Sequence, residues 1–280
     1  MAEDIQRYTA FSHRPEGGNP AGVVLDAAGL SDDRMLAIAA EVGFSETAFL
    51  TGRDAEGYDV RYFSPLAEVP FCGHATVATA VALAARDGAG DVLFRTRSGP
   101  VPVRTARDGD GHVTATLTSV APRVTAVEPA DLDEALAALG WARAELDPEL
   151  PPRVAFAGAQ HLVLAVAARE RLAALDYDFD RLGALMTARD WTTAQLVWRE
   201  AADRFHSRNP FPPGGVVEDP ATGAAAAALG AYLRELGAVA PPASVTILQG
   251  EDMGRPARLR VDIPADRPGI DVSGVAVPIA

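Results

Sequence analysis

Apolar residues recur along the chain in two patterns that predict short β-strands. Residues 58–63 and 113–117 alternate apolar with polar positions, as strands with one buried face do. Shorter apolar runs predict four further strands, at residues 22–25, 48–50, 92–96 and 161–166. Because turn residues lie near each run, the strands are expected to be short and numerous.

Amphipathic stretches between the strands predict helices with recognisable ends. Ser31 is suited to cap a helix that runs to Val42, and Gly43 follows it. Residues 131–139 have the same form, with Gly140 after them. Residues 165–175 and 178–189 are predicted to be surface helices.

Two other predicted helices, at residues 75–85 and 221–231, have no charged face. A helix that is apolar on all sides is buried on all sides. Neither is long enough to span a bilayer, so each is expected to form the axis of a core.

The segments that open these two helices resemble each other: both have a turn, an Ala-Thr pair and then small residues. We therefore predict an α+β fold of two pseudo-symmetric domains, each a curved mixed or antiparallel sheet around one buried helix, although alanine runs also match by chance. The domains are placed at residues 1–122 and 123–267, with a linker near 121–124. Residues 268–280 are a candidate strand for packing back onto the first domain, and Pro151-Pro152 and Pro241-Pro242 are predicted loops.

Composition and charge narrow the range of possible partners, metal sites and cellular locations. The formal net charge of −13 disfavours nucleic acid and anionic membranes as partners, whereas a small anionic substrate can still bind at a helix N-terminus. The single cysteine, Cys72, excludes an internal disulfide and a multi-thiolate zinc site. The acidic, polar start lacks the pattern of a secretory signal, and no membrane span is evident, so a cytoplasmic location is expected.

Three polar residues at tight turns are candidates for chemistry, and each also has a structural interpretation. Glu46 begins an apolar strand, where it is either a buried acid-base group or an edge residue facing solvent. His74 stands in the first turn of one buried helix and is otherwise a core or cap histidine. Asp219 precedes Pro220 at the start of the other buried helix, where Asp as cap and Pro as first residue would suffice. Cys72 is most simply a small buried apolar residue.

Considered together, these residues indicate proton transfer. If both buried helices point their N-termini into one cleft, their N–H groups would hold a carboxylate or enolate, and Glu46, His74 and Asp219 would surround it. Proton abstraction beside a carbonyl needs such a base and such anion stabilisation, and it needs no cofactor.

Five segments, in order, resemble the phenazine-biosynthesis PhzF-like family. They are residues 18–23 (Gly-Asn-Pro-Ala-Gly-Val), 45–49 (Ser-Glu-Thr-Ala-Phe), 63–68, 72–76 (Cys-Gly-His-Ala-Thr) and 218–223 (Glu-Asp-Pro-Ala-Thr-Gly). The resemblance implies a diaminopimelate-epimerase-like fold, a homodimer and no cofactor, and we predict from the residues that no metal is needed. It also implies an isomerase similar to trans-2,3-dihydro-3-hydroxyanthranilate isomerase.

The resemblance carries roles to individual residues. Glu46 matches the family's catalytic glutamate, and His74 and Asp219 match its active-site partners. Gly73 matches a backbone donor and Asn19 a residue near the substrate. We add Thr222, Gly223 and Ala224 as substrate-binding positions, because they open the second buried helix.

Two departures limit the resemblance. Many members have serine where this chain has Ala224, so a hydroxyl group that contacts substrate is missing. Two-cysteine racemases of the same fold use one thiol from each half, which a single cysteine rules out. A non-catalytic binding protein is therefore an alternative. A metal-dependent hydrolase using His74, Glu218 and Asp219 is a weaker one, because no paired histidine spacing exists.

Overall fold

The computed structural model describes residues 3–280 of the 280-residue chain and shows an α+β fold in which strands predominate. The strands in this range are β1 (Gln6–Ala10), β2 (Asn19–Val24), β3 (Glu46–Arg53), β4 (Tyr58–Phe63), β5 (Glu68–Val69), β6 (Asp91–Thr96), β7 (Gly99–Arg107), β8 (Val113–Thr118), β9 (Arg123–Ala126), β10 (Arg153–Phe156), β11 (Gln160–Val166), β12 (Thr193–Ala201), β13 (Arg204–Phe211), β14 (Val216–Asp219), β15 (Ala243–Gln249), β16 (Ala257–Ile263) and β17 (Asp271–Pro278). The helices are α1 (Asp32–Val42), α2 (Gly73–Asp87), α3 (Pro129–Leu139), α4 (Arg169–Ala173), α5 (Phe179–Ala188) and α6 (Gly223–Glu235), and the short 3₁₀ helices are Arg143–Glu145, Pro212–Gly214 and Glu251–Met253.

The chain divides into two compact units. The first unit holds the described residues up to Thr118 together with Ser273–Ala280, and the second unit holds Ser119–Val272. The two units are described separately below.

Eight strands of the first unit form a closed ring. Pairing runs from β1 through β2, β3, β4, β6 and β7 to β8, and β17 pairs with both β8 and β1. Helix α2 contacts β1, β2, β3, β7 and β8, and every residue from His74 to Ala84 is buried. The apolar helix therefore lies inside the ring, where its lack of a polar face is an advantage.

Helix α1 follows the predicted capping pattern. The Ser31 side chain accepts a hydrogen bond from the backbone N–H of Arg34, and Gly43 ends the helix with a left-handed φ of 73°. The buried face of α1 packs on the aromatic rings of Phe49 and Phe63, which meet edge to face at 5.6 Å.

The second unit is built on a sheet with the strand order β9, β10, β11, β12, β13, β15 and β16, with β14 paired to β13. On one face, Leu162, Leu164 and Val166 join the core that α3 and α5 complete. Alternation along β11 turns its other side chains to the opposite face. Helix α6 contacts β9, β10, β11 and β16, and its residues from Ala225 to Leu233 are buried.

All six predicted strands are confirmed, and so are both apolar helices, although these begin at Gly73 and Gly223 instead of residues 75 and 221. Residues 151–152 and 241–242 lie outside helices and strands, as predicted for loops. The prediction of a surface helix over residues 165–175 was wrong at its start. Ala165 and Val166 belong to β11, because they pair with β12, and only Arg169–Ala173 is helical.

Two further expectations need correction. Arg123 and Val124, placed in a linker, form part of β9 and pair with β10. Helix α5 is capped by Asp178 as its sequence suggests, yet it is not a purely surface helix, since Leu182 and Met186 are fully buried.

Within residues 3–280, no helix combines the length and the apolar character needed to cross a membrane.

Candidate functional site

Glu46 is the first residue of β3, a strand that pairs with β2 on one side and with β4 on the other. Its side chain is only 17% exposed. The interpretation of Glu46 as a strand-edge residue facing solvent is therefore wrong. A carboxylate at this depth needs hydrogen-bond donors, and the start of α2 supplies them.

His74, the second residue of α2, is the centre of these contacts. Its Nε2 lies 3.3 Å from Glu46 Oε2 and 3.3 Å from Ser45 Oγ, and its Nδ1 lies 3.1 Å from Asn19 Nδ2. With the Asn19 amide as donor, Nδ1 accepts and the ring proton lies on Nε2, facing the carboxylate. The arrangement fixes both the ring and its tautomer.

Cys72 adds a third polar contact. Its thiol donates to Glu46 Oε2 over 3.5 Å, and its sulfur lies 3.4 Å from His74 Nδ1. We call the side chains of Asn19, Ser45, Glu46, Cys72 and His74 the Glu46 cluster. The imidazole and the thiol contact the carboxylate, and the amide of Asn19 and the hydroxyl of Ser45 contact the imidazole. A carboxylate held in this way can accept a proton and return it from a fixed position.

Gly73 opens α2 directly beside this cluster. Within the described chain, the side chain of the N-cap residue Cys72 makes no capping bond to a backbone N–H, and the first intrahelical bond runs from the Thr76 N–H to the Cys72 carbonyl. The helix N-terminus therefore presents backbone N–H groups and a positive dipole end next to Glu46.

Asp219 does not cap α6, contrary to the interpretation of Asp219-Pro220 as a helix start. Asp219 ends β14, and the N-cap is Thr222. The Asp219 carboxylate accepts a hydrogen bond of 2.5 Å from the Thr222 hydroxyl. The Asp219 carboxylate thus bonds the side chain of the N-cap residue and is not itself the N-cap.

Gln249 holds the turn between β14 and α6 in place. Its amide oxygen accepts the Thr222 N–H at 3.2 Å, and its amide nitrogen donates to the Asp219 carbonyl at 2.7 Å and to the Thr222 hydroxyl at 3.1 Å. Gly223 and Ala224, the first two helical residues, follow this braced turn. As at α2, the N-cap side chain of α6 makes no capping bond within the described residues.

Glu218 has a structural role. Its carboxylate forms a two-pronged ion pair with Arg208, with contacts of 3.0 and 2.6 Å, and its side chain is 4% exposed. Adjacent residues in a strand face opposite sides, so Glu218 and Asp219 do not converge on one ion. The hydrolase alternative, with His74, Glu218 and Asp219 as metal ligands, is not supported.

The predicted site residues fall into two groups. Asn19, Glu46, Gly73 and His74 lie together in the first unit. Asp219, Thr222, Gly223 and Ala224 lie together in the second unit. The predicted site residues did not include Ser45, which is next to Glu46, or Gln249. Gln249 is 27 residues from Thr222 and has no motif around it.

Among the described residues, one set of side chains has the donors for a metal ion: Glu46, Cys72 and His74, whose ligand atoms lie within 4.8 Å of one another. The absence of any metal or cofactor requirement stays a prediction.

One face of the second unit's sheet, opposite the core that α3 and α5 complete, carries buried polar side chains on several strands. Register places His161 beside Thr193, and Ser207 beside Gln249. Several buried atoms have no protein hydrogen-bond partner among the described residues: His161 Nε2, Ser207 Oγ and the amide atoms of Gln195 and Asn209. Burial lowers the pKa of His161 to about 3, so its ring is neutral. We call these four residues the polar row.

The chain matches the model of the phenazine biosynthesis-like protein family over residues 8–280. The chain belongs to this family. An uncharacterised isomerase of Pseudomonas aeruginosa is 39% identical over 283 residues, which cover 99% of this chain and 96% of that protein. The trans-2,3-dihydro-3-hydroxyanthranilate isomerase of Pseudomonas chlororaphis is 34% identical over 272 residues, covering 96% and 94%.

Structural similarity gives the same result. The PhzF-family phenazine biosynthesis protein of Bacillus anthracis superposes with a TM-score of 0.88 at 25% identity, over 100% of this chain and 98% of that one. This member of the phenazine biosynthesis-like family is an isomerase, as the sequence motifs predicted.

Proposed function

We propose that this isomerase moves a proton between positions next to a carboxylate or carbonyl of a small anionic substrate, with Glu46 as the proton carrier and with no cofactor or metal. The observation that carries the proposal is the placement of the Glu46 carboxylate. It is largely buried at the start of β3 and lies 3.3 Å from His74 Nε2 at the N-terminus of α2.

In the proposed reaction, Glu46 accepts a proton from a substrate carbon and later returns it to another position. His74 orients the carboxylate through its Nε2–H group, while Asn19 keeps that tautomer. The enolate formed in between needs donors, and the backbone N–H groups beginning with Gly73 are suited to this role. General acid-base catalysis of this type contributes on the order of 10²- to 10⁴-fold to a rate.

We assign substrate binding to the residues at the start of α6. Gln249 braces the turn, so the backbone at Thr222, Gly223 and Ala224 is rigid before an anion arrives. Asp219 would orient the substrate or relay a proton through its contact with the Thr222 hydroxyl. Ala224 offers no hydroxyl group.

The substrate class follows from the relatives. A substrate similar to trans-2,3-dihydro-3-hydroxyanthranilate combines a carboxylate with an acidic C–H, as this proposal requires. The proposal also keeps three predictions: two pseudo-symmetric domains with the active site in the cleft between them, a homodimer, and a cytoplasmic location.

The test is hydrogen exchange with solvent. Protein and trans-2,3-dihydro-3-hydroxyanthranilate are incubated in D2O, and NMR follows deuterium uptake into substrate and product. We expect uptake with the wild-type protein, with or without EDTA, and none with Glu46→Gln. Exchange that persists in Glu46→Gln would remove Glu46 from the mechanism, and exchange that needs a divalent ion would contradict metal independence.

A further inference from the structure

The polar row lies on the same face of its sheet as helix α6. A Cβ atom added to Gly230 of α6 would lie 2.7 Å from the side chain of Val261 on β16, so the helix packs closely on this face. Val261 pairs with Val245 on β15, and Gln249, four residues further along β15, faces the same way. The register of β13 with β15 then puts Ser207 beside Gln249, on the face that α6 covers.

The neighbouring strands connect the row to the turn that opens α6. Ser207 pairs with Val197 on β12, and Gln195 faces the same way as Val197 because it lies two residues away. Asn209, two residues after Ser207, also shares this face and lies directly opposite Asp219 on β14. Paired strands are about 5 Å apart, so the row begins one strand spacing from Asp219.

The row offers hydrogen-bonding atoms that the described chain does not use. His161 shares the face because it pairs with Thr193, two residues from Gln195. His161, Gln195 and Asn209 are 0% exposed and Ser207 is 3% exposed. Both amide atoms of Gln195 and of Asn209, the Ser207 hydroxyl and the His161 Nε2 have no protein partner within residues 3–280. Because a buried polar group without a partner destabilises a fold, this concentration of them indicates a ligand that supplies the partners.

The chemistry of the row specifies which ligand group fits. The four side chains are two carboxamides, one hydroxyl and one imidazole that burial keeps neutral by lowering its pKa. A carboxylate only accepts hydrogen bonds, so it would leave the amide oxygens unpaired, and none of the four side chains would balance its charge. An apolar group would pair with none of them. A carboxamide both donates and accepts, so it can pair with the nitrogen and the oxygen of each amide.

We infer that the polar row is a subsite for a carboxamide group of the ligand, with Gln195 and Asn209 as specificity-determining residues. The inference rests on the proposed function, in which the start of α6 binds the substrate beside Asp219. Since Asn209 is one strand spacing from Asp219, a linker of about two carbon atoms can join the two bound groups. The ligand class is therefore a short carboxylate with an acidic C–H that also carries a carboxamide.

The experiment measures the binding of four racemic amino acids to the full-length chain by isothermal titration calorimetry. The probes are asparagine, glutamine, leucine and aspartate. Leucine and aspartate have nearly the shape of asparagine, but leucine lacks the polar atoms and aspartate is charged. We expect the wild type to bind asparagine or glutamine at least about 10-fold more tightly than leucine and aspartate. A racemate keeps its composition if the protein epimerises it, so binding is measured independently of turnover.

Asn209→Leu is the main variant, because it keeps the volume of the side chain and removes both amide atoms. We expect its affinity for the preferred amide probe to fall by about 10- to 100-fold, with no loss of affinity for leucine. Ser207→Ala should cause a smaller loss in the same direction. Gln160→Met is the matched control, since Gln160 precedes His161 on β11, faces the opposite side of the sheet and contacts Asp190. Melting temperatures establish that each variant is folded.

Equal affinities for the four probes in the wild type would overturn the inference, because the row would then hold solvent alone, while binding at the start of α6 would stand. A folded Asn209→Leu protein that keeps the preference for the amide would also overturn it. If Asn209→Leu does not fold, the ranking of the probes in the wild type and in Ser207→Ala decides. Failure to bind any of the four probes overturns the inference as well, and the hydrogen-exchange test then decides separately whether the proposed function holds.

Discussion

The N-termini of the two buried helices, α2 and α6, have the same backbone design and different side-chain chemistry. Both helices are apolar on all sides, both begin at glycine, and neither N-cap side chain makes a capping bond within the described residues. Beside α2 lie the titratable groups Glu46, Cys72 and His74, which contact one another. Beside α6, the hydroxyl of Thr222 and the amide of Gln249 brace Asp219.

This difference indicates a division of work. A carboxylate held by an imidazole and a thiol can exchange a proton, whereas amides and hydroxyls can hold a ligand without exchanging one. Under the proposed function, Glu46 in the first unit is therefore the proton carrier, and the second unit positions the substrate, with Asp219 orienting it or relaying a proton. Variants on each side should affect different steps.

Glu46→Gln tests the first unit and should have the largest effect. The amide has the same shape but cannot accept a proton, so kcat should fall on the order of 10²- to 10⁴-fold with little change in melting temperature. Glu41→Gln, an exposed carboxylate on α1, is the matched control and should retain wild-type rates. A normal kcat in Glu46→Gln would mean that a group other than Glu46 transfers the proton.

Asp219→Asn tests the second unit. The Asn side-chain oxygen can still accept the hydrogen bond from the Thr222 hydroxyl, so we expect the free energy of unfolding to change by about 1 kcal/mol or less. The loss of charge should nevertheless lower kcat/KM by about 100-fold if Asp219 handles a proton or steadies a charged substrate group. The measurement pairs melting temperature with turnover on one sample.

Thr222→Val is the companion variant, because it removes the hydroxyl partner and keeps the carboxylate. If Asp219 acts only as that partner, Thr222→Val and Asp219→Asn should be equally mild. Unchanged turnover in Asp219→Asn would leave Asp219 with a structural role alone.

Local pattern was enough to predict much of this fold and site. Apolar periodicity located the six predicted strands, and the apolar helices identified the turns that carry His74 and Asp219. What local pattern could not supply was long-range pairing. Ala165 and Val166 have helix-compatible neighbours, yet pairing with β12 keeps them extended. Tertiary contacts routinely override such local preferences.

Asp219-Pro220 shows the same limit at the site itself. The dipeptide is a sound helix start by composition, but α6 begins three residues after Pro220, at Gly223. The Gln249 amide accepts the N–H of Thr222 and bonds the Asp219 carbonyl, and this sets the start of the helix. No short-range signal reveals a partner 27 residues away. The closed ring of strands and the polar row are unpredictable for the same reason.

The polar row allows a pH-dependent test of this comparison, because His74 in the Glu46 cluster has contacts at both ring nitrogens, whereas His161 Nε2 in the row has no protein partner among the described residues. Burial lowers the pKa of His161 to about 3, while an unfolded chain restores a value of about 6.5. Between these values the unfolded state binds more protons, so stability falls as pH drops below about 6.5. The slope from this one group approaches about 1.4 kcal/mol per pH unit.

His161→Gln should remove that slope. The variant retains a hydrogen-bonding side chain opposite Thr193, so its stability near pH 7.5 serves as the reference. Urea unfolding at pH 7.5, 6 and 5 should show the wild type losing stability relative to the variant as pH falls. A constant difference across this range would mean that His161 is not held neutral by burial.

Gln195→Met should have the smallest effect, and its sign is the informative part. Gln195 is fully buried on β12, and neither of its amide atoms has a protein partner within residues 3–280. Replacing a polar group of this kind with an apolar one of similar shape is neutral or stabilising, so the free energy of unfolding should rise by about 1 kcal/mol. Leu196→Met, at the next position on β12 and facing the opposite core, is the control and should lower stability modestly.

If Gln195→Met instead destabilises the protein, the Gln195 amide forms hydrogen bonds with solvent that stabilise the fold. If it stabilises the protein but lowers kcat/KM, the polar row is retained for ligand binding at the expense of stability, as the division of work between the two units implies.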